Sequence, residues 1–250
     1  MKLIIEKSVV VITPTVGSAK LADAVESVAN QTYKNLTHLL VVDGAKEYLE
    51  QFNKNLVHQD KDNWNLEFMF LPYNTGANGF NGQRIYASIP HIVNADYVFF
   101  LDEDNWYDPN HVRTLVETIE KNNLDWAYSL RKVYTPDGKY IIDDNCESLG
   151  YWPIYFTHDN PQYLIDTSAF AFTRKFIKQT CHLWHSGAWG EDRRYFYAIR
   201  DHSKWDCSYN HTLCYRVDNN PKSVDGNFFI EGNKKQSEFY KEGFPWVKHD

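Results

Sequence analysis

Five uninterrupted apolar residues, Tyr97 to Leu101, run directly into three acids, Asp102-Glu103-Asp104. An apolar segment this short, bounded by charge, reads as a strand buried on both faces. The acids then stand at the carboxyl edge of a sheet. Alternation puts Asp102 and Asp104 on one side and Glu103 on the other if the extended geometry persists. Two carboxylates so placed suit a hard divalent cation, Mn²⁺ or Mg²⁺, which in turn can bridge a diphosphate. The same tripeptide also fits a solvated acidic turn before the next helix. Asp108-Pro109 supplies an N-cap and first-turn pair for that helix, whose inward positions are Val112, Leu115, Val116 and Ile119.

Upstream, the same alternation recurs. Val9 to Ile12 reads as a buried strand emptying into a loop at Thr13-Pro14-Thr15, and Leu21, Ala24, Val25, Val28 and Ala29 follow with helical spacing. Leu39 to Val42 is a second buried strand, ending at Asp43-Gly44, with a helical stretch from Ala45 to Phe52. Leu66 to Leu71 repeats the pattern and Pro72 closes it. Asn74 to Gln83 is too rich in Gly and Asn for regular structure, and a helix is expected from there to Pro90. Strands alternating with helices predict an α/β fold: a Rossmann-like mixed, mainly parallel sheet flanked by helices, with ligands outside the carboxyl ends of the strands.

After residue 125 the rhythm changes. Trp126 to Tyr134 and Tyr140 to Ile142 predict a hairpin around Pro136-Asp137-Gly138. Residues 144–167 are aromatic and aperiodic, as expected of a substrate-facing excursion. A helix starts near Gly190, a strand spans Thr212 to Val217, and the rest reads as a tail packed by Phe228, Phe229, Phe239, Phe244 and Trp246. With 250 residues and no repeat or clean linker, one domain is expected over residues 1–250: a first half (1–124), a second half (125–224) and a C-terminal tail (225–250).

Charge narrows the partners. With 26 Lys plus Arg against 33 Asp plus Glu and no basic stripe, nucleic acid is excluded as a partner. An acidic chain can still hold a phosphorylated ligand through a metal and backbone amides. Cys146, Cys181, Cys207 and Cys214 lack paired spacing, which favours reduced thiols and a cytoplasmic location over a zinc site, Cys181 and His185 notwithstanding. The other histidines, His158 and His182 among them, read as structural or surface groups. No run approaches a membrane span, so only peripheral membrane contact is expected.

A second acidic pair, Glu191-Asp192, opens a predicted helix beside Trp189 and Gly190. It fits simple helix capping. It also fits a general base taking a proton from a sugar hydroxyl.

Taken in order, these segments resemble the inverting glycosyltransferase family 2, whose members have the GT-A nucleotide-sugar-binding fold. The resemblance runs from about Val9 to Val224. It is carried by VVVITPTVGSAKLADAVESVANQTYKNLTHLLVVDGA, by LDEDNWYDPNHV (residues 101–112), by WGEDRRYF (189–196) and by YRVDNNPKSV (215–224). It implies a donor-binding first half and an acceptor-binding, base-carrying second half. Thr13, Pro14, Thr15, Asp43 and, more loosely, Arg84 would contact the nucleotide. Asp102 and Glu103 would lie at the donor, with Asp104 the principal and Asp102 the accompanying metal ligand. Asp192 would be the catalytic base, supported by Glu191, with Trp189 at the acceptor. Lys46, Arg193 and Arg194 could touch phosphate or be simply solvated surface charges. Asp218 stands where the family often has His, so a third metal ligand is unassigned.

The implied activity is metal-dependent, inverting transfer of a hexose-type unit from a nucleotide diphosphate sugar, UDP-linked in most of the family, to a hydroxyl of a glycan or glycolipid, as in polysaccharide biosynthesis. Tyr151, Trp152, Tyr155, Phe156 and Trp184 could line the acceptor path or fill the core. A nucleotidyltransferase would want a Gly-rich basic loop, which TPTVGSAK is not. A non-catalytic sugar- or nucleotide-binding module would have no use for the second acidic pair. A glycoside hydrolase has two carboxylates but needs no metal motif.

Overall fold

The computed structural model describes residues 6–55, 65–184, 187, 190–218 and 223–247. Strand and helix alternate through the first half as β1 (Val9–Thr15), α1 (Leu21–Ala29), β2 (Leu36–Asp43), α2 (Ala45–Asn55), β3 (Asn65–Leu71), α3 (Gln83–Ser88), β4 (Tyr97–Phe100) and, after the short β5 (Trp106–Tyr107), α4 (His111–Asn122). The second half holds β6 (Trp126–Tyr134), β7 (Tyr140–Asp143), β8 (Phe170–Thr173), α5 (Arg174–Thr180), α6 (Glu191–Ile199), β9 (Trp205–Arg216) and α7 (Gly226–Phe239).

All nine strands join one sheet in the order β3-β2-β1-β4-β8-β6-β9-β5, with β7 paired to β6. The strands β3, β2, β1 and β4 run parallel. The strand β8 is antiparallel to both β4 and β6, whereas β9 is parallel to β6. This is the mixed, largely parallel, helix-flanked sheet that the alternation predicts. Its centre is dry because the inner strands are apolar on both faces: Val11, Ile12, Val98, Phe99 and Phe100 have no exposed surface. The helices pack by their apolar stripes, Leu21, Ala24, Val25 and Val28 on α1, and Val112, Leu115 and Ile119 on α4. No helix among the described residues is long and apolar enough to cross a membrane.

Four details differ from expectation. Thr13-Pro14-Thr15 belongs to β1 and pairs with Leu40 to Val42. A proline is tolerated there because β4 pairs only Val9 to Ile12, and Pro14 faces the side that β4 has already left. The strand β3 is an edge strand with Phe68 and Phe70 exposed, unlike its buried neighbours. Asp108 does not cap α4. Asn110 is the N-cap residue, and the Asp108 carboxylate is taken by Lys132 at 2.5 Å. The last strand is longer than predicted, and within the tail α7 forms, capped by Asp225 on the Phe228 N–H at 3.0 Å. Phe229 and Trp246 are buried in the fold, whereas Phe239 is exposed.

The rings at 151–156 pack on other aromatics, although Phe156 is mostly exposed. Tyr151 stacks on Trp205 at 4.1 Å, Trp152 lies 5.0 Å from Trp246, and Tyr155 meets Phe228 edge-on at 5.5 Å. All four cysteines are buried, and none is in a disulfide.

Candidate active site

The sheet ends its parallel strands at one edge, and a cavity of about 500 Å³ opens there. Asp102 and Asp104, just past β4, line it together with Glu191 and Asp192 at the start of α6. Two acidic segments 88 residues apart in sequence thus share one cleft. Glu103 does not line it, because its carboxylate turns to the first loop and accepts from Thr15 Oγ1 and from the Ser18 N–H at 3.2 Å.

The Asp102 loop is held from several sides. Tyr86 on α3 donates to Asp102 Oδ1 at 2.7 Å, and the Asp102 N–H donates to Ser168 Oγ at 3.0 Å. Arg216, at the end of β9, donates from Nε to the Asp104 carbonyl at 3.1 Å, and its backbone N–H reaches Asn105 Oδ1 at 3.1 Å. The same guanidinium pairs with Asp23 on α1 and lies over the Trp106 ring. The Asp104 carboxylate pairs with Lys20, 4.0 Å away, and also feels the Arg216 charge.

Burial and mutual repulsion raise Asp102, Asp104 and Asp192. Desolvation, then the Asp104 and Asp166 charges, push Asp102 up to about 7. Desolvation also raises Asp104, against the pull of Lys20. Asp192 is pushed up to about 7, first by burial and then by Asp166, while the Arg193 N–H at 2.7 Å opposes the shift. Gly190, at φ +78°, makes the left-handed turn that starts α6. Glu191 is buried, with Arg194 at 3.9 Å.

The residues expected at the nucleotide lie beside this cavity and do not line it. Thr13 is buried and bonded to His38 at 2.9 Å, and Pro14 packs on Gly82. Asp43 accepts the N–H groups of Thr75 and Gly76 at 2.7 and 2.8 Å, so it holds the 74–82 loop in place. Arg84 donates to the Thr75 carbonyl at 3.0 Å and stacks 3.5 Å from the Phe80 ring centre. Trp189 and His185 lie outside the described residues. Trp184 is buried and contributes to the cavity wall.

The sequence reading missed Arg131, Glu147 and Asp166, which line the cavity as part of a buried ion cluster. Their only signal was an arginine inside the otherwise enclosed strand YSLRKVY. Among the described residues the lining holds seven carboxylates against three guanidinium groups. Such an excess attracts cations. The fit to a divalent cation is a two-carboxylate one: Asp102 and Asp104 face the same space and repel each other, while no three His, Cys, Asp or Glu side chains among the described residues converge as ligands. Mg²⁺ and Mn²⁺ accept such a site when water and phosphate oxygens complete the shell.

Comparison with known proteins agrees with the sheet. The structure is similar to that of S. aureus TarS 1-349 in complex with UDP, with a TM-score of 0.56 at 14% identity, covering 93% of this chain and 70% of that one. The same protein in complex with UDP-GlcNAc gives 0.54 at 13%, covering 92% and 66%. At these identities the likeness shows a shared GT-A, Rossmann-like fold. The sequence is 26% identical over 161 residues to Glycosyltransferase GlyA of Streptococcus pneumoniae serotype 4 (strain ATCC BAA-334 / TIGR4), a match of 61% of this chain and only 19% of GlyA. Residues 8–180 match the description of glycosyl transferase family 2, so the chain belongs to that family.

Proposed function

We propose that this chain catalyses inverting transfer of a hexose-type unit from a UDP-linked sugar to a hydroxyl group of a glycan or glycolipid. One observation carries the reading: Asp192 faces the same cavity as Asp102 and Asp104. The similarity to structures named as UDP and UDP-GlcNAc complexes supports the choice of donor. In this reading residues 1–124 hold the donor and 125–224 bring the acceptor and base.

Asp102 and Asp104 would hold a Mn²⁺ or Mg²⁺ ion, which supplies Lewis-acid stabilisation of a departing diphosphate. Asp192 accepts the proton of the acceptor hydroxyl as that oxygen forms its bond to the anomeric carbon. The bond from this carbon to the diphosphate oxygen breaks on the opposite face, and the electron pair leaves with the nucleoside diphosphate. One displacement inverts the configuration and uses no protein nucleophile. Near 7, Asp192 is a stronger base than an ordinary carboxylate and is still substantially ionised at neutral pH. Thr13, Pro14, Thr15 and Glu103 shape the first loop, and Asp43 and Arg84 order the 74–82 loop, so these residues act on the nucleotide through backbone placement. Trp189, next to the base in sequence, belongs at the acceptor.

Calorimetric titration with UDP, GDP and dTDP, with and without Mn²⁺, tests the assignment. UDP binding that needs Mn²⁺, is lost in Asp104→Ala and persists in Asp192→Asn is the expected result. Absence of nucleotide binding under every condition would overturn it.

A further inference from the structure

Between the Asp102 loop and Asp192 the cavity carries charges that the transfer step does not use. Arg131, only 3% exposed on β6, donates from Nε to Asp144 at 2.7 Å, from Nη1 to Asp166 at 2.7 Å and from Nη2 to Glu147. The three carboxylates are not equivalent. Asp144 is fully buried and also accepts the N–H groups of Cys146, Glu147 and Ser148 at 2.9 to 3.0 Å, so its acceptor capacity is filled within the fold. Burial pushes Asp144 up, but Arg131 and these N–H groups outweigh it and hold the carboxyl below its ordinary range.

Asp166 and Glu147 instead border the cavity. Asp166 Oδ1 accepts the Ser168 N–H at 2.9 Å, and the Ser168 hydroxyl contacts Asp102, so a single residue links Asp166 to the Asp102 loop. The Asp166 charge acts on Asp102, Asp104 and Asp192 alike, which places it within reach of both ends of the reaction. One carboxylate suffices to neutralise a guanidinium. Additional buried carboxylates cost desolvation, and placing them beside a cavity destabilises the fold unless a ligand supplies hydrogen-bond donors. An ionised carboxylate only accepts, and the donors a sugar offers are hydroxyls.

We infer that Asp166 and Glu147, aimed by Arg131, hold the transferred sugar and restrict it to an uncharged, hydroxyl-bearing hexose, rejecting a sugar that carries its own carboxylate. This rests on the donor-site reading above. It assigns the specificity of that site to residues outside the acidic motifs, and the discrimination is by repulsion as much as by attraction.

The test is calorimetric titration of the whole chain, with Mn²⁺, using UDP, UDP-glucose, UDP-galactose and UDP-glucuronate. The unaltered protein is expected to bind one of the two hexose donors at least about tenfold more tightly than the glucuronate, with like charge against like charge. Asp166→Asn keeps the shape and the Ser168 contact, and it is expected to bring that ratio to within about threefold of unity, a ratio in which any shift common to UDP and all its sugars cancels. Glu147→Gln, at a more accessible position, is expected to move the ratio the same way and provides a second reading if the first variant folds poorly. Binding of the glucuronate donor as tight as that of the better hexose donor by the unaltered protein, an arm that needs no variant, would overturn the inference. So would a parallel loss of UDP and UDP-sugar affinity in both variants, the mark of a structural role. Failure of UDP itself to bind overturns the donor-site reading together with this one, whereas UDP binding without discrimination overturns this one alone.

Discussion

Strands β1 and β6 both lie inside the sheet, yet their enclosed side chains have little in common. In β1, Val9 to Ile12 are apolar, and contact with α1, β2 and β4 is all they require. In β6, Arg131 is enclosed to nearly the same degree and is satisfied only because three carboxylates from residues 144–166 meet it. Apolar burial is non-directional and tolerates substitution by volume. Ionic burial is directional, and it fixes the positions of Asp166 and Glu147 against Arg131. In the first half the residues that line the cavity lie beyond the ends of the strands, while in the second half the strand itself supplies part of the cavity wall.

The largest effect is expected at the ionic strand. Arg131→Met leaves three carboxylates uncompensated and is expected to lower unfolding stability by about 3–5 kcal/mol, read from the urea midpoint. A loss no larger than that of an exposed ion pair would break the comparison. At the apolar strands, Leu40→Ala on β2 is expected to cost about 2–5 kcal/mol through a cavity, with nucleotide affinity little changed. Parallel loss of nucleotide affinity would show that the apolar strands are not a passive scaffold.

The acid in the cleft gives a pH-dependent contrast. Asp192 has a folded value near 7 against an ordinary 3.8, so the folded protein binds its proton more tightly than the unfolded chain. That stabilisation is present below about pH 4 and is lost as pH rises through about 7. Asp192→Asn removes the dependence, so its melting temperature relative to the unaltered protein is expected to climb between pH 5 and pH 8. Turnover by the unaltered protein runs the other way, rising with pH through about 7 as the base ionises. A melting difference that is flat with pH would refute the buried-base assignment. The smallest effect belongs to the surface: Lys7→Ala removes an exposed pair with Glu120 at 2.6 Å and is expected to cost about 0–1 kcal/mol.

These contrasts also explain what could be read from the sequence. The strands β1, β2 and β4 and the helices α1 and α4 were legible because period and burial coincide in them. That Asp102, Asp104 and Asp192 border one cleft was legible only through the order of the motifs, since each acidic group taken alone also fits a turn or a helix cap. The edge exposure of β3 was not, since an apolar run looks alike whether or not a neighbour covers it. Arg131 was hidden for a different reason. Its three partners are 13, 16 and 35 residues away, and no local pattern announces a long-range ion cluster. The role of Asp43 in ordering the 74–82 loop likewise depends on backbone N–H groups, which carry no sequence signature.

Arg216 adds a matter of timing. It clasps the Asp104 carbonyl and Asp23 across 112 and 193 residues of chain, among the longest loops that any hydrogen bond here closes. Closing loops of that length is entropically slow, and during synthesis it has to wait until β9 has left the ribosome. A nascent chain can therefore build the first four parallel strands while its acidic loop is still unclasped. The last strand of the sheet to be made thus supplies the final support of the acidic loop, so the cavity edge is completed only after the fold around it is in place.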